Sequence, residues 1–386
     1  MTALASAAPA FSQVTLPADC LGVSGNCSTV EQSGSGNEAE VDQFRFSNTS
    51  RSGNTSQILQ NATDVQAIVQ QTADESSSYV EQTGESSIVD VQQIGLNQKS
   101  VINQFSTNPG TFEVSGYARV FQQFGEGNEA TIRQTTNGQG NFSVPLVLFR
   151  EGVPVQLEAG NGAAIVQQGR HNAATITQLG AGLLATSLQS DADNLVDISQ
   201  EGQNNLSAAG QISGISNISK IVQSGISLGN ARVVSTTLQD GDGNMSTIDQ
   251  TMNSTRSSPA AIFPPPNIRR GATVQQEGSD NISEITQEDT DHRVSVGQIG
   301  DGNDSAVMQS GIGNEGDIEM LASSGNSELV QRGSDNTAVL VQTANGNTSD
   351  IYQDGGFNTA EVTQATGGNV SAVNQNGSNN TAIVTQ

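Results

Sequence analysis

The sequence predicts an all-β fold, a β-solenoid in which strand-turn-strand rungs stack into two facing parallel sheets. Three observations carry this prediction. Glutamine recurs every eleven residues, residues alternate with a spacing of two between the glutamines, and Gly, Asn and Asp cluster between the alternating stretches. Self-similarity at a fixed period is typical of stacked repeats, and two such units make a rung of about 22 residues.

The glutamine period is clearest toward the end of the chain. Counting back from the last residue in steps of eleven gives glutamine at ten of eleven positions, and the exception is Met320. We expect these glutamines to form a structural ladder: Gln276, Gln287, Gln298, Gln309, Gln331, Gln342, Gln353, Gln364, Gln375 and Gln386. Asparagines five residues after such glutamines are the second set of candidates: Asn281, Asn303, Asn336, Asn358, Asn369 and Asn380.

The spacing inside each unit indicates a strand. An eleven-residue period is also typical of a right-handed helical coil, so the side-chain pattern must decide. After Asn172 come Ala174, Ile176 and Gln178, each two residues apart. Alternation by two places these side chains on one face of a strand, whereas a helix would scatter them. Frequent glycine would also cost a helix about 1 kcal/mol each time.

The predicted turns between the strands have sequences such as "RGSDN", "EGSDN" and "NGSNN". These residues supply the positive φ angles that tight turns require. Stacked rungs then place like residues about 4.8 Å apart, so that glutamine meets glutamine and asparagine meets asparagine along a column. An inward amide with identical neighbours is satisfied, which removes the usual cost of burying a polar group. Outward residues such as Glu361 and Thr363 keep the sides of the stack hydrated.

Interruptions of the period define the predicted organisation of the chain. The segments are residues 1–31, a leader or cap with the cysteine pair; 32–134, repeats with irregular stretches; 135–163, an insertion; 164–250, repeats; 251–273, a proline-rich insertion; and 274–386, regular repeats. The prolines at 264–266 cannot donate to a ladder, which sets the second insertion apart. The last strand, "NTAIVTQ", shows no atypical cap, and we expect it to offer an exposed edge.

Composition argues against several classes of partner. The chain has 14 Lys plus Arg against 39 Asp plus Glu, a net charge of −25, no Trp and 34% apolar residues. An acidic surface repels phosphate backbones and anionic lipid, so we expect no nucleic-acid binding and no binding to a membrane surface. No stretch approaches the roughly 20 apolar residues that span a bilayer, so no membrane insertion is expected. The start "ALASAAPA" reads either as the end of a truncated export signal or as a disordered alanine-rich segment.

The cysteines and histidines do not indicate a catalytic or metal site. Cys20 and Cys27 enclose a short glycine-containing loop, which favours a local disulfide over two free thiols and suits an exported protein. A zinc site would need two further ligands nearby, and His171 and His292 lie far away in sequence. Both histidines stand at turn positions beside arginines, and we expect them to be solvated. With no triad visible, we expect no enzyme, no cofactor and no metal.

One turn has a weak calcium signature. The stretch "DGDGN" at 240–244 has the alternating oxygen ligands of a calcium loop but lacks the glutamate at the twelfth position. Turns of such a stack are rich in Asp, Gly and Asn in any case. We therefore expect these acids to serve the turn.

The repeat unit resembles a known family. The pattern Gln-x-Gly-x-x-Asn-x-Ala-x-x-x-Gln, found at residues 353–364, 167–178 and 123–134, resembles the curlin repeat of bacterial curli subunits. The resemblance implies a secreted, extracellular subunit on the bacterial cell surface that polymerises into functional amyloid fibres for cell adhesion and biofilm matrix. Its implied partners are further copies of itself in a homopolymeric fibre, a nucleator subunit, and secretion or chaperone factors.

A second interpretation is a monomeric β-solenoid binding module, such as an adhesin stalk or an ice-binding protein. It would present a flat outward column of threonine. Outward threonines exist, for example Thr175 and Thr177, but the neighbouring rungs place other residues there. A stack whose upper and lower rungs match makes a head-to-tail contact that need not close into a ring. The sequence therefore favours a fibre built by end-to-end stacking.

Overall fold

The computed structural model is all-β, with two long parallel sheets, and it confirms the predicted fold class. It describes residues 25–44, 53–106, 114–136, 143–144, 157–226, 233–253 and 271–386. Within these ranges no helix is long and apolar enough to cross a membrane.

The strands are β1 (Cys27–Ser35), β2 (Glu38–Phe44), β3 (Thr55–Thr63), β4 (Gln66–Asp74), β5 (Ser77–Glu85), β6 (Ser87–Leu96), β7 (Lys99–Ser106), β8 (Val114–Glu126), β9 (Glu129–Thr136), β10 (Ser143–Val144), β11 (Leu157–Arg170), β12 (Ala173–Ala181), β13 (Leu184–Gln189), β14 (Leu195–Gln203), β15 (Asn205–Ser213), β16 (Ile218–Ile226), β17 (Val233–Asp240), β18 (Met245–Asn253), β19 (Gly271–Glu277), β20 (Ile282–Thr290), β21 (Arg293–Ile299), β22 (Asp304–Ile312), β23 (Glu315–Met320), β24 (Asn326–Ser334), β25 (Thr337–Gln342), β26 (Thr348–Gly356), β27 (Thr359–Gln364), β28 (Val370–Ser378) and β29 (Thr381–Thr385).

Each rung contributes one strand to each sheet. The first sheet has 14 strands in the order β1-β3-β5-β7-β9-β12-β14-β16-β18-β20-β22-β24-β26-β28. The second sheet has 15 strands and follows the order β2-β4-β6-β8-β11-β13-β15-β17-β19-β21-β23-β25-β27-β29, with β10 attached antiparallel to β11 off this path. Neighbours in the stack are parallel and come from successive rungs.

Like residues lie above one another, as the period predicts. In the first sheet Gln331 pairs with Gln353, and Gln353 pairs with Gln375. In the second sheet Ala338 pairs with Ala360. Away from the two end rungs, the inward aliphatic side chains of both sheets are buried, for example Ile132. The core is therefore a narrow layer of stacked aliphatic side chains between the two sheets.

The turns depend on residues with positive φ. A left-handed residue stands directly before the corner asparagine in most rungs, such as Asp335 (φ 52°) before Asn336 and Phe357 (φ 56°) before Asn358. This conformation favours Gly, Asn and Asp, which explains the turn composition. Gly355 (φ 121°) is also required by space, because an added Cβ would lie 1.8 Å from the carbonyl oxygen of the residue one rung above.

The strands extend beyond the predicted segment boundaries. β1 begins at Cys27, inside the predicted leader, and β11 begins at Leu157, inside the first predicted insertion. β18 ends at Asn253 and β19 begins at Gly271, so strands also enter the second insertion from both sides. Most of both predicted insertions lies outside the described residues.

One register assignment from the sequence is wrong. The resemblance placed Gln123 in the repeat, but the residue in register with Gln93 and Gln167 is Gln122. The cause is one extra residue in β8, which shifts the register near its end and coincides with a left-handed Phe124 (φ 50°). A bulge of this kind re-aims the side chains on one side of it.

Candidate assembly interface

The glutamines of the first sheet form one continuous ladder. In every step the side-chain Nε2 donates to the Oε1 of the glutamine in the next rung, over 2.6–3.1 Å. Its members are Gln32, Gln60, Gln82, Gln104, Gln134, Gln178, Gln200, Gln223, Gln250, Gln287, Gln309, Gln331, Gln353 and Gln375. Half of the glutamines predicted from the period lie here.

The second sheet carries a second ladder with one break. Ten glutamines are linked over 2.7–3.0 Å: Gln43, Gln71, Gln93, Gln122, Gln167, Gln189, Gln211, Gln239, Gln276 and Gln298. Met320 then takes the glutamine position, and the ladder resumes with Gln342, Gln364 and Gln386. Above the break, the buried Oε1 of Gln342 has no hydrogen-bond partner among the described residues.

The ladder glutamines also tie the two sheets together. Nε2 of Gln353 in β26 donates to the carbonyl oxygen of Thr337 in β25, over 3.0 Å, as well as to the next glutamine. Gln364 in β27 does the same with the carbonyl of Thr348 in β26, over 3.1 Å. Both N–H groups of these amides therefore have acceptors, which is why the side chains can be fully buried.

The asparagines lie at the corners of the rungs, and this corrects the expectation that they lie on the strand faces. They occupy two columns, each directly before the strands of one sheet. Asn336, Asn358 and Asn380 lie before strands of the second sheet, whereas Asn281, Asn303 and Asn369 lie before strands of the first. Their bonds differ from those of the glutamines: Oδ1 accepts the backbone N–H of the next rung, as from Asn358 to Asn336 over 3.0 Å. Direct amide-to-amide bonds are fewer, one being Asn380 Nδ2 to Asn358 Oδ1 at 3.0 Å.

His292 belongs to one of these corner columns, and the expectation that it is solvated is wrong. It stands one rung below Asn314 and is fully buried. Its Nδ1 accepts the backbone N–H of Asn314 over 3.2 Å, and Nε2 lies 2.6 Å from the carbonyl oxygen of Glu288. The imidazole therefore makes the two bonds that the corner amide makes elsewhere. Burial lowers its pKa below the ordinary value, against smaller opposing effects from that carbonyl and two nearby aspartates.

His171 differs, since 60% of its side chain is exposed. Counting back in steps of two units from Asn336 and Asn314 reaches position 292, so the period did hold a signal for the buried histidine. Residue type alone predicted a solvated environment for His292, which is wrong.

The other candidate groups serve the turns or lie partly outside the described residues. Cys27 is disulfide-bonded, and Cys20 lies outside the described residues. In the "DGDGN" turn, the Ser213 hydroxyl donates to Asp240, and Asp242 accepts the backbone N–H of Ile215 over 2.8 Å. Across the described ranges, no three or more His, Cys, Asp or Glu side chains converge on a point that could hold a metal ion.

The two ends of the stack differ chemically. We call β1 and β2 the head rung and β28 and β29 the tail rung, since each of these strands has one stack neighbour among the described strands. Every ladder bond runs from Nε2 toward the tail. The head rung therefore presents glutamine Oε1 acceptors, and the tail rung presents Nε2 donors.

Charge separates the ends as well. The head rung carries Glu31, Glu38, Glu40 and Asp42, whereas residues 365–386 contain no Asp, Glu, Lys or Arg. Inward side chains at the head are uncovered: Val30 is 44% exposed, while Ile58, its register neighbour one rung inward, is fully buried. The head thus offers an apolar and amide surface ringed by carboxylates.

Comparison with known proteins bears on the repeat itself. A family model described as the curlin associated repeat matches residues 192–225, 328–355 and 358–386. No curated protein matches the chain. The matched segments contain members of both glutamine ladders and both asparagine columns. The chain therefore carries curlin associated repeats in these three segments, as its resemblance to that family predicted.

Proposed function

We propose that this chain is a secreted structural subunit of curli-like extracellular amyloid fibres, serving cell adhesion and biofilm matrix at the bacterial surface. Copies assemble by end-to-end stacking of their solenoids. A nucleator subunit and secretion or chaperone factors, which the curlin resemblance implies, complete the proposed system. The observation that carries the proposal is the match between the tail rung of one copy and the head rung of another.

Aligning the ladders sets the register of this contact. If the head of one copy continues both sheets of another, β28 meets β1 and β29 meets β2. The inward and corner residues then form pairs of identical type: Ser371 with Ser28, Val373 with Val30, Gln375 with Gln32, Gly377 with Gly34, Ala382 with Ala39, Val384 with Val41, Gln386 with Gln43, Asn369 with Asn26, and Asn380 with Asn37. Each ladder donor at the tail meets a ladder acceptor at the head.

The charges favour this orientation over the others. In the head-to-tail contact the head carboxylates face uncharged side chains, for example Glu31 opposite Asn374 and Glu40 opposite Ile383. A head-to-head contact would place carboxylates near carboxylates and amide acceptors against acceptors, which is unfavourable. A chain with a net charge of −25 can therefore stack without like charges meeting across the contact.

A glycine of the tail rung provides the test. Gly377 (φ 112°) has open space above it in a single copy, where the nearest atom to an added Cβ is Asn380 Nδ2 at 3.6 Å. One rung below, the same addition at Gly355 would lie 1.8 Å from a carbonyl oxygen. In the proposed fibre the Gly34 carbonyl of the next copy occupies the equivalent place above Gly377. We expect Gly377→Ala to leave the fold of the single copy intact and to block elongation.

The matched control is Gly346→Ala. Gly346 also has positive φ (70°), and nothing lies within 4 Å of an added Cβ, so this change adds backbone strain without a steric clash between copies. Circular dichroism checks the fold, and dye-binding kinetics with electron microscopy follow filament growth. Wild-type protein that stays monomeric favours the binding-module interpretation, and Gly377→Ala filaments that grow at the wild-type rate contradict the proposed contact.

A further inference from the structure

The apolar core between the sheets is divided into two clusters. The first includes inward aliphatic residues from Ile58 to Ile221, and the second runs from Ile248 to Val373. Ile221 and Ile248 are register neighbours in the first sheet, in β16 and β18. The division therefore has to come from the facing strands of the second sheet.

Strand β17 supplies polar inward residues at this point. Ser235 and Thr237 are fully buried, where the next rung of the same sheet places Ala272 and Val274. The aliphatic position is already small in the two preceding rungs, with Ser187 and Ala209. Three successive rungs of the second sheet thus lack a branched aliphatic side chain facing the isoleucines of the first.

Hydrogen bonds take the place of apolar contact in this layer. The hydroxyls of Ser219 and Thr237 bond across the sheets over 2.5 Å, and Gln223 Nε2 donates to Ser235 Oγ over 2.8 Å. Ser235 Oγ in turn donates to Gln250 Oε1. These groups are satisfied, so the layer folds, but short polar side chains remove little apolar surface from water.

The glutamine ladders cross this layer without a break. Gln211 bonds Gln239 over 3.0 Å and Gln239 bonds Gln276 over 2.9 Å in the second sheet. In the first sheet Gln223 bonds Gln250 over 3.0 Å. The amides therefore hold the register across β17, while the inward aliphatic column of the second sheet is interrupted there.

We propose that the solenoid consists of two cooperative units that meet at β17 and open separately, one from β3 to β16 and one from β18 to β29. The stability of a stack is approximately a sum of terms for single rungs and for contacts between neighbours, and cooperativity passes through the contacts. At β17 the aliphatic column continues in the first sheet only, through Ile221 and Ile248, so this contact passes less cooperativity than the others and each side opens on its own. The C-terminal unit keeps the tail rung when the other unit is open.

Hydrogen exchange of the full chain, followed by mass spectrometry in graded denaturant before any assembly, tests this inference. We expect peptides from 53–226 and from 271–386 to lose protection at different denaturant concentrations. At an intermediate concentration their exchange rates should differ by about tenfold or more. Loss of protection in both regions together, at the same concentration and with the same slope, overturns the proposal.

A double variant locates the boundary. Ser219→Ala with Thr237→Val removes both hydroxyls of one bond, so no orphan donor remains, and it places a methyl group between the two clusters. We expect the two transitions to merge in this variant. The control is Thr286→Val, an isosteric change at a half-buried outward position of β20, which should leave the separation unchanged. If the two unfolding transitions of the double variant remain as far apart as in the wild type, the assignment of the boundary to β17 is overturned. The hydrogen-exchange experiment on the wild type tests the proposal even if the variant does not fold. Because single copies are measured, the result is independent of the fibre proposal.

Discussion

Replacing Met320 with glutamine should stabilise the chain, because it would close the break in the ladder of the second sheet. Met320 is 1% exposed and separates Gln298 from Gln342. Nε2 of Gln298 has a backbone acceptor at 2.8 Å but Met320 in place of a glutamine above it, and Oε1 of Gln342 is buried with no partner in the part of the chain that the structure describes. A glutamine at position 320 would complete both bonds.

The magnitude follows from two opposing terms. The bond from Gln298 to the new amide contributes about 1 kcal/mol, and the bond that satisfies the buried acceptor of Gln342 contributes about 1–3 kcal/mol. Against this, the variant loses part of the roughly 1.5–3 kcal/mol that burial of a methionine side chain provides, since the glutamine methylenes stay buried. We expect Met320→Gln to raise the free energy of unfolding by about 1–2 kcal/mol.

Denaturant unfolding of single copies, followed by circular dichroism, measures this change. Met308→Gln is the control, because Met308 is 46% exposed on the outward face and should give almost no change. If Met320→Gln has no effect or lowers stability, the amide ladder does not provide net stabilisation in this core, and the reasoning on which the assembly contact depends fails with it.

Three further predictions follow from the same contacts. Gln353→Ala and Asn358→Ala should slow fibre growth in dye-binding assays more than Glu361→Ala and Thr363→Ala, because only the first two leave a column partner unpaired; equal growth curves would count against this. Added salt should quicken assembly, since screening weakens repulsion between acidic subunits, and slower growth would contradict it. The pKa of His292 is lower in the folded chain than in the unfolded chain. Its contribution to the free energy of unfolding is therefore complete above the ordinary pKa, and it falls as the pH drops because the unfolded chain binds the proton more readily. Unfolding at about pH 7.5 and about pH 5.5 should show this loss in the wild type but not in His292→Asn.

The repeating part of the fold was predictable because each rung imposes its register on the next. Gln331, Gln353 and Gln375 lie two units apart in sequence, and they stack directly. The spacing of two between inward residues predicted strands, because side chains alternate between the two faces of a strand and only one face is buried here. The fold class, and the stacking of glutamines in uninterrupted repeats such as these three, therefore needed no tertiary information.

What the sequence did not predict depends on backbone geometry. The asparagines are spaced as if they continued the strand, but the left-handed residue before each one turns the chain, so that Asn358 lies at a corner. Gln122 replaces Gln123 because a single extra residue in β8 shifts the register, so that the glutamine matching the motif spacing is not the one that joins the ladder. The environment of His292 was misjudged because residue type was weighed above the period, which places it in an asparagine column, and the bonding geometry shows its ring taking the role of the amide.

Two rungs of this chain separate the roles of amide and aliphatic side chains. At β17 the ladder of the second sheet continues through Gln239 while the aliphatic column of that sheet is interrupted. At β23 the reverse holds, since Ile318 stays in the apolar cluster while Met320 breaks the ladder. If amides mainly fix register and aliphatics mainly transmit cooperativity, the two repairs should act differently. Met320→Gln should raise stability without changing the number of unfolding transitions, whereas Ser219→Ala with Thr237→Val should merge transitions. A merger caused by the ladder repair alone would show that the amides, and not the apolar layer, couple the rungs.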